Sequence, residues 1–376
     1  MNLIFTCGGT AGHINPALAI TSIIKDHVPD AEFLYAGTPK GMEANLVPKA
    51  GLRFTPIKVS GFQRKVTLKN IGRNIRAAAY LAGSGHRAKQ IISEFKPDLV
   101  IGTGGYVSGP IVFEAAKMKV PTLIHEQNAY PGVTTKILSK KVNMVMLTVP
   151  EAMEYLDKDI PHTVTGLPVR KGFTGKMDRE AAKKELGFDD GMVILSYGGS
   201  LGAGAINDTA ERLIEYEQKN GLKINHIHSY GKMGKDTFVK NLEGRGVDVN
   251  SPRLMVKDYI HNMDVCMAAA DLIICRSGAS AITELEAEGR ASILIPSPVV
   301  AGNHQYHNAM VLGKAGAAIV IEQKDLDYDK MIEKVTEFYN DPAKTDILAQ
   351  RAAELYISDT PDRIWAEVEK LIGDKL

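Results

Sequence analysis

The sequence predicts an α/β protein built from two doubly wound, Rossmann-like domains facing across a cleft. Three observations carry this. Short runs rich in Val, Ile and Leu alternate with helical patterns along the chain, as buried parallel strands joined by helices do. The runs fall into two series, separated by a stretch interrupted at Pro161, Gly166, Pro168, Gly172 and Gly175. Each series contains a strand followed by a similar glycine-rich turn, Gly8-Gly9-Thr10-Ala11-Gly12 in the first and Gly198-Gly199-Ser200-Leu201-Gly202 in the second.

The first series reads as strands at 3–7, 32–36, 54–59, 98–102, 122–126, 144–148 and 162–165. The second reads as strands at 192–197, 223–228, 253–256, 272–275, 292–295 and 318–321. The helix after the first glycine turn is expected near Pro16, a favourable first helical residue, and its counterpart near Ala203. Thr360-Pro361 opens a last helix whose packing partner the pattern does not specify. The expected division is 1–165, 166–358 and a terminal helix over 359–376.

With 376 residues, 44% apolar and 24% charged, the chain has enough material for two ordinary cores, and without low-complexity stretches disorder is not the default reading. The opening Met1-Asn2-Leu3-Ile4-Phe5-Thr6-Cys7 lacks a basic leader and runs into glycines, so it reads as a first strand, not a signal peptide. No apolar run reaches the ~18 residues of a membrane span, and a cytoplasmic location is expected. Cys7, Cys266 and Cys275 fit neither a zinc site nor a disulfide framework and read as small core residues.

The net charge of +1 hides an asymmetry. Residues 1–170 carry 20 Lys and Arg against 12 Asp and Glu, and the remainder carries 25 against 32. Between Glu43 and Glu94 there is no acid, while Lys49, Arg53, Lys58, Arg64, Lys65, Lys69, Arg73, Arg76, Arg87 and Lys89 fall in the same stretch. Such a tract is either a solvated helix face or a surface for an anionic partner.

A glycine turn at a helix N-terminus lets backbone N–H groups close on an anion, and the helix dipole adds to the attraction. Phosphate is the usual guest, and two such turns at matching positions argue for it more strongly than one. A dinucleotide site is disfavoured, because the glycine spacing departs from G-x-G-x-x-G and Glu32 lies at the start of the second strand, not its end. No Walker sequence occurs. His13 follows the first turn, and histidine is the side chain best suited to accept a proton near neutral pH. It reads either as a general base or as a cap or phosphate ligand.

Further polar groups cluster at strand ends, where open α/β sheets bind ligands. They are Thr103-Gly104-Gly105-Tyr106, His125-Glu126-Gln127-Asn128 before a helix opening at Pro131, Arg276-Ser277-Gly278-Ala279-Ser280, and Asn303-His304-Gln305. Glu284, in the first turns of a helix, either answers the dipole or holds both hydroxyls of a ribose. His226 and His228 share a strand face without a third ligand and read as structural, and Asp325, Asp327 and Asp329 read as a helix cap. No tightly bound metal or other cofactor is expected. A leaving diphosphate would then be stabilised by helix dipoles, backbone N–H groups and Arg170 or Arg276.

Taken together, Gly8-Gly9-Thr10-Ala11-Gly12-His13, Gly104-Gly105-Tyr106-Val107-Ser108-Gly109-Pro110, His125-Glu126-Gln127-Asn128-Ala129, Pro168-Val169-Arg170, Gly198-Gly199-Ser200-Leu201-Gly202-Ala203, Arg276-Ser277-Gly278-Ala279 and His304-Gln305 resemble the MurG family over essentially the whole chain. Its members transfer N-acetylglucosamine from UDP-GlcNAc to lipid I, the undecaprenyl-diphosphate-linked muramyl pentapeptide, making lipid II for peptidoglycan. The resemblance implies the GT-B fold, with the acceptor and membrane on the N-terminal domain and the donor on the C-terminal one. It places Thr10, Ala11 and Gly12 at the donor diphosphate. It also implies that Asn128, Arg170, Ser200, Ile260, Ala279, Ser280, Ala281, Ile282, Thr283, Glu284, Gln305 and Asn308 bind the rest of the donor, with Glu284 on the ribose and Gln305 and Asn308 on the sugar.

The resemblance further implies that Tyr106 and Glu126 face the acceptor and that His13, with Glu126 as rival or partner, is the base of an inverting displacement. Ala11 and Leu201 depart from the family, which often has Gly and Gln there. The implied partners are UDP-GlcNAc, lipid I and an anionic membrane surface at the cytoplasmic face, without nucleic acid. Phe62, Val66, Leu68, Ile71, Ile75, Tyr80 and Leu81 in the basic tract either dip into the membrane or belong to the core. Rival readings are a UDP-GlcNAc 2-epimerase, a non-catalytic nucleotide-sugar-binding subunit and a transferase acting on a soluble aglycone.

Overall fold

The structure is a computed structural model. It describes residues 1–59, 68–170, 172–173, 177–188 and 190–373, with backbone alone over 68–79 and at 81 and 82. Arg64, Lys65, Phe62, Val66 and Gly175 lie outside the described residues, as do the side chains of Leu68, Lys69, Ile71, Arg73, Ile75, Arg76 and Leu81.

The chain divides into two compact units, Met1–Pro168 with Ile357–Leu376, and Val169–Tyr356. The first is built on β1 (Asn2–Cys7), β2 (Glu32–Gly37), β3 (Arg53–Pro56), β4 (Leu99–Gly104), β5 (Thr122–Glu126), β6 (Met144–Leu147) and β7 (His162–Val164). These form one parallel sheet in the order β3-β2-β1-β4-β5-β6-β7. The second unit holds β8 (Met192–Tyr197), β9 (Ile224–Ser229), β10 (Leu254–Lys257), β11 (Leu272–Cys275), β12 (Ser292–Leu294) and β13 (Ile319–Val320). Its parallel order is β10-β9-β8-β11-β12-β13. Both sheets reverse direction of winding next to their first strand, at β1/β4 and at β8/β11, the place where open α/β sheets bind ligands.

Central strands such as β1 and β8 are buried almost throughout, because helices cover both faces, which is why they read as continuous apolar runs rather than alternating ones. The three cysteines lie in this interior. Burial pushes each thiol up to about 12, so they are neutral packing groups. His226 and His228 also belong to the core. The hydroxyl of Ser196 lies 2.9 Å from His226 Nε2 and 2.7 Å from His228 Nδ1, and Glu217 lies 3.0 Å from His226 Nδ1. This line has the order of a hydrolytic triad, yet all four side chains are buried, so no substrate reaches it.

Two elements differ from expectation. The first helix runs Ala11–His27 and encloses Pro16 instead of starting at it. The Thr10 carbonyl accepts from His13 N at 3.1 Å and Ile14 N at 3.3 Å, which closes the first turn five residues earlier. Pro16 then removes only the N–H that would have reached the Gly12 carbonyl. His13 therefore stands inside the first turn, at the positive end of the dipole. Likewise, the helix after β5 is Val133–Leu138 and begins past Pro131.

The terminal helix Thr360–Ile372 packs on the first unit, although the chain reaches it from the second. Ile364, Val368 and Ile372 enter the core that holds Leu3, Phe5 and Ile24. The Trp365 ring stacks on His27 with centroids 4.3 Å apart, and Thr163 Oγ1 donates to Glu367 at 2.9 Å. Among the described residues, no helix is long and apolar enough to cross a membrane.

Candidate active site

In the first unit the β1/β4 switch point is lined by two glycine turns packed backbone to backbone. Gly105 has φ +79°, and a Cβ there would stand 2.3 Å from the Gly8 carbonyl oxygen, so only glycine allows the approach. Gly104 has φ +108°, and its missing Cβ leaves room for the His13 ring, whose Nδ1 would be 2.6 Å away. Thr103 Oγ1 donates to the His13 carbonyl at 2.7 Å. The half-buried His13 places Nδ1 2.9 Å from Gln127 Oε1, which joins the first glycine turn to the end of β5.

Tyr106 is 41% exposed, and its ring lies over Gly9. Burial of the hydroxyl, with the Glu43 charge second, pushes this phenol above its ordinary value. Tyr106 therefore offers a neutral O–H donor, not a base. Glu43 lies under the turn and accepts from Gly9 N at 3.3 Å, Thr38 N at 2.9 Å and Thr38 Oγ1 at 2.6 Å. One N–H of the loop is thus engaged by the protein's own carboxylate and is withheld from an anion.

Glu126 departs from the role expected for it. It is 3% exposed, and its carboxylate accepts from Asn128 N and Nδ2 at 3.0 Å each, Gly132 N at 3.0 Å and Thr135 Oγ1 at 2.5 Å. Four donors fill the lone-pair directions of both oxygens. This carboxylate fastens the loop 127–132 and turns Asn128 inward; it does not present itself to an acceptor.

The second unit repeats the plan at the β8/β11 switch point. Gly199 and Gly202 have φ +88° and +81°, and a Cβ on Gly202 would stand 2.3 Å from the Tyr230 carbonyl oxygen. Ser200 and Leu201 project from the tip into solvent. The helices opening at these switch points, Ala11–His27, Gly204–Lys219 and Ala279–Glu288, have neither a capping side chain nor an acid in the first turn. Asp178 and Asp327, by contrast, cap Arg179–Glu185 and Tyr328–Asn340, each with a further acid in the first turn. Positive helix ends of this kind suit an external anion.

Arg170 and Glu284, 114 positions apart, meet here through an Arg170 Nε to Glu284 Oε1 contact of 2.6 Å. The guanidinium also lies over Phe173. Glu284 is buried, which pushes its carboxyl above its ordinary value, while Arg170 pulls it back. Ala279, Ser280 and Ala281 line the same helix opening, half-buried, and Ile282 and Thr283 are buried behind them. Gln305 accepts from Ser297 N at 2.9 Å, and its carbonyl accepts from Ser277 Oγ at 2.8 Å.

Three expected ligands are engaged within the protein itself. Arg276 donates to the carbonyls of Ile295 and Pro296 and to Gln323, so its charge staples strand ends and is not free for a diphosphate. The Ile260 side chain is in the core, which leaves its backbone for contact. Asn308 is buried and donates to the Ser277 carbonyl at 3.2 Å. Asp327 caps a helix, as expected for the acidic run, and among the described residues no cluster of three or more His, Cys, Asp or Glu could hold a metal ion. The sequence reading gave no role of their own to Glu43 and Gln127. Glu43 had no signal beyond bounding the acid-free tract, while Gln127 lay in plain view between two residues singled out.

Known proteins match this arrangement. Residues 3–147 fit the glycosyltransferase family 28 N-terminal domain, and residues 193–363 fit its C-terminal domain. Two parallel sheets, each with a glycine turn and an uncapped helix at its switch point, thus define a glycosyltransferase of the GT-B type. A UDP-N-acetylglucosamine--N-acetylmuramyl-(pentapeptide) pyrophosphoryl-undecaprenol N-acetylglucosamine transferase of Acetivibrio thermocellus is 42% identical over 376 residues, covering 100% of this chain and 99% of that protein. The transferase of the same name from Thermoanaerobacter sp. is 40% identical over 374 residues, covering 99% and 100%. The crystal structure of Acinetobacter baumannii MurG superposes with a TM-score of 0.78 at 26% identity, covering 98% of this chain and 99% of that one. The chain belongs to the MurG family.

Proposed function

We infer that this chain transfers N-acetylglucosamine from UDP-GlcNAc to the C4 hydroxyl of the muramyl unit of lipid I, forming lipid II for peptidoglycan, and so serves wall growth, cell shape and division. The observation that carries this is full-length identity of about 40% to transferases named for that reaction. The site supports it, with an imidazole at one switch point and an uncapped helix and an Arg–Glu pair at the other.

The step is an inverting displacement. The acceptor C4 oxygen bonds to the anomeric carbon, its proton passes to His13 Nε2, and the bond from that carbon to the diphosphate oxygen breaks, its electron pair leaving with UDP. An α-linked donor gives a β(1→4) product. We assign the base to His13, because Glu126 has no lone pair free for the proton. The growing charge on UDP meets uncapped helix ends, backbone N–H groups and Arg170, without a tightly bound metal.

The test is incubation with labelled UDP-GlcNAc, with and without a lipid I analogue, with and without EDTA. Lipid-linked product that needs the analogue and survives EDTA is the expected result. Turnover of UDP-GlcNAc without acceptor would identify an epimerase, and binding without turnover a silent subunit. Transfer only to soluble acceptors would overturn the lipid assignment.

We also propose that the protein works peripherally at the cytoplasmic membrane face through its basic tract, against lipid headgroups and not nucleic acid. Of the described tract side chains, Arg53 pairs with Glu32 and Arg87 bonds Thr55 and Gln90, while Lys49, Lys58 and Lys89 face solvent. Each cation near an anionic leaflet contributes about 1 kcal/mol, so reversing Lys69, Arg73 and Arg76 to Glu should weaken binding to anionic vesicles at low salt by at least roughly 100-fold. Unchanged co-sedimentation would favour the solvated-face reading.

A further inference from the structure

The hydrogen bonds behind His13 settle which of its nitrogens carries the proton, and the deduction starts from two backbone carbonyls. A carbonyl oxygen only accepts. His125 Nε2 lies 3.0 Å from the Gly166 carbonyl, so that nitrogen bears hydrogen and donates. In the neutral ring His125 Nδ1 then holds a lone pair. Burial favours that neutral form by disfavouring the charged one.

The second carbonyl is that of His125 itself. The Gln127 amide nitrogen lies 2.8 Å from it and 3.1 Å from His125 Nδ1, so both acceptors face the same NH2 and both of its hydrogens are used. The amide has one orientation left. Its oxygen points at His13 Nδ1, 2.9 Å away, and can only accept, so His13 Nδ1 carries hydrogen. Nε2 is left with the lone pair.

We propose that Gln127, itself oriented by His125, is a positioning residue that holds His13 in the Nδ1–H tautomer, so that Nε2 is the proton acceptor of the transfer reaction. This rests on the reading of His13 as the base. A free histidine side chain in water favours the Nε2–H tautomer, so the protein reverses an intrinsic preference. Gln127 and His125 are both buried, and the His13 ring lies against Gly104. An amide in this role differs from a carboxylate. It orients the ring without adding a negative charge beside a diphosphate substrate.

The proposal is tested on the full-length protein labelled with nitrogen-15, by long-range proton–nitrogen correlation of the imidazoles above their titration range. The chain has 10 histidines, and the His13 signals are those lost in His13→Asn. Hydrogen on Nδ1 and a bare Nε2 are expected in the wild type. In Gln127→Leu the population should move toward Nε2–H, with kcat falling about tenfold, a part of what a general base contributes, and donor KM changing less than about twofold. Gln127→Glu keeps an acceptor facing Nδ1 and should retain the wild-type tautomer.

A wild-type His13 with hydrogen on Nε2 overturns the proposal whether or not the variants fold, as does a leucine variant that folds and keeps the Nδ1–H form. Failure of the base assignment shows separately, as an undiminished kcat in His13→Ala.

Discussion

His13→Ala is expected to lower kcat by about 10²- to 10⁴-fold, the range a positioned general base contributes, with donor KM nearly unchanged. The imidazole stands in the first turn of the Ala11–His27 helix, where no acid and no capping side chain compete for it. Removing it leaves the glycine turns packed, since Gly8 and Gly105 meet through backbone alone. Steady-state kinetics with a lipid I analogue check this, and a kcat within a few-fold of wild type would sink the assignment. Glu126→Ala should behave differently. Four donors lose their acceptor, so the loop 127–132 loosens and thermal stability falls along with activity.

Glu284→Ala should raise donor KM by roughly 100-fold. A carboxylate that accepts from both ribose hydroxyls makes two charge-assisted bonds, each contributing about 1.5–3 kcal/mol, and part of that gain is offset by desolvating the sugar. Arg170 also loses its partner at 2.6 Å. The kcat should change little, because the contact is made equally before and during the reaction. A donor KM within a few-fold of wild type would exclude the ribose role.

The same residue predicts a pH dependence. Burial outweighs Arg170 and holds the carboxyl above the ordinary glutamate value of 4.5. On acidification the carboxylate is therefore lost earlier than an exposed glutamate would be. Donor KM should rise as pH falls while still above 4.5, and this rise should be absent in Glu284→Gln.

Much of this was legible in the residues. Every expected strand of both series has a counterpart in the two sheets, because buried parallel strands must be continuous apolar runs ended by turn residues. The first helix was misread by five positions, since Pro16 suggests a beginning and the closure at the Thr10 carbonyl carries no sequence mark. Arg276 and Glu126 illustrate a second kind of miss. Their charge and strand-end positions suit a ligand, yet whether a charged group is free depends on which partners the fold brings to it. For Arg276 these come from residues 295, 296 and 323, for Glu126 from the turn just after it.

By itself the sequence determined the two parallel-sheet units, the glycine turns at matching strand ends and the imidazole beside the first. These follow from local rules: apolar periodicity, the φ values that glycine alone tolerates, and adjacency along the chain. The tertiary structure alone decided that Arg170 meets Glu284, that Glu43 supports the first turn, that the last helix returns to the first unit, and that Gln127 faces His13. Each is a contact across 34 or more positions. Such contacts are set by where strands and helices come to rest against one another, and no local pattern encodes that.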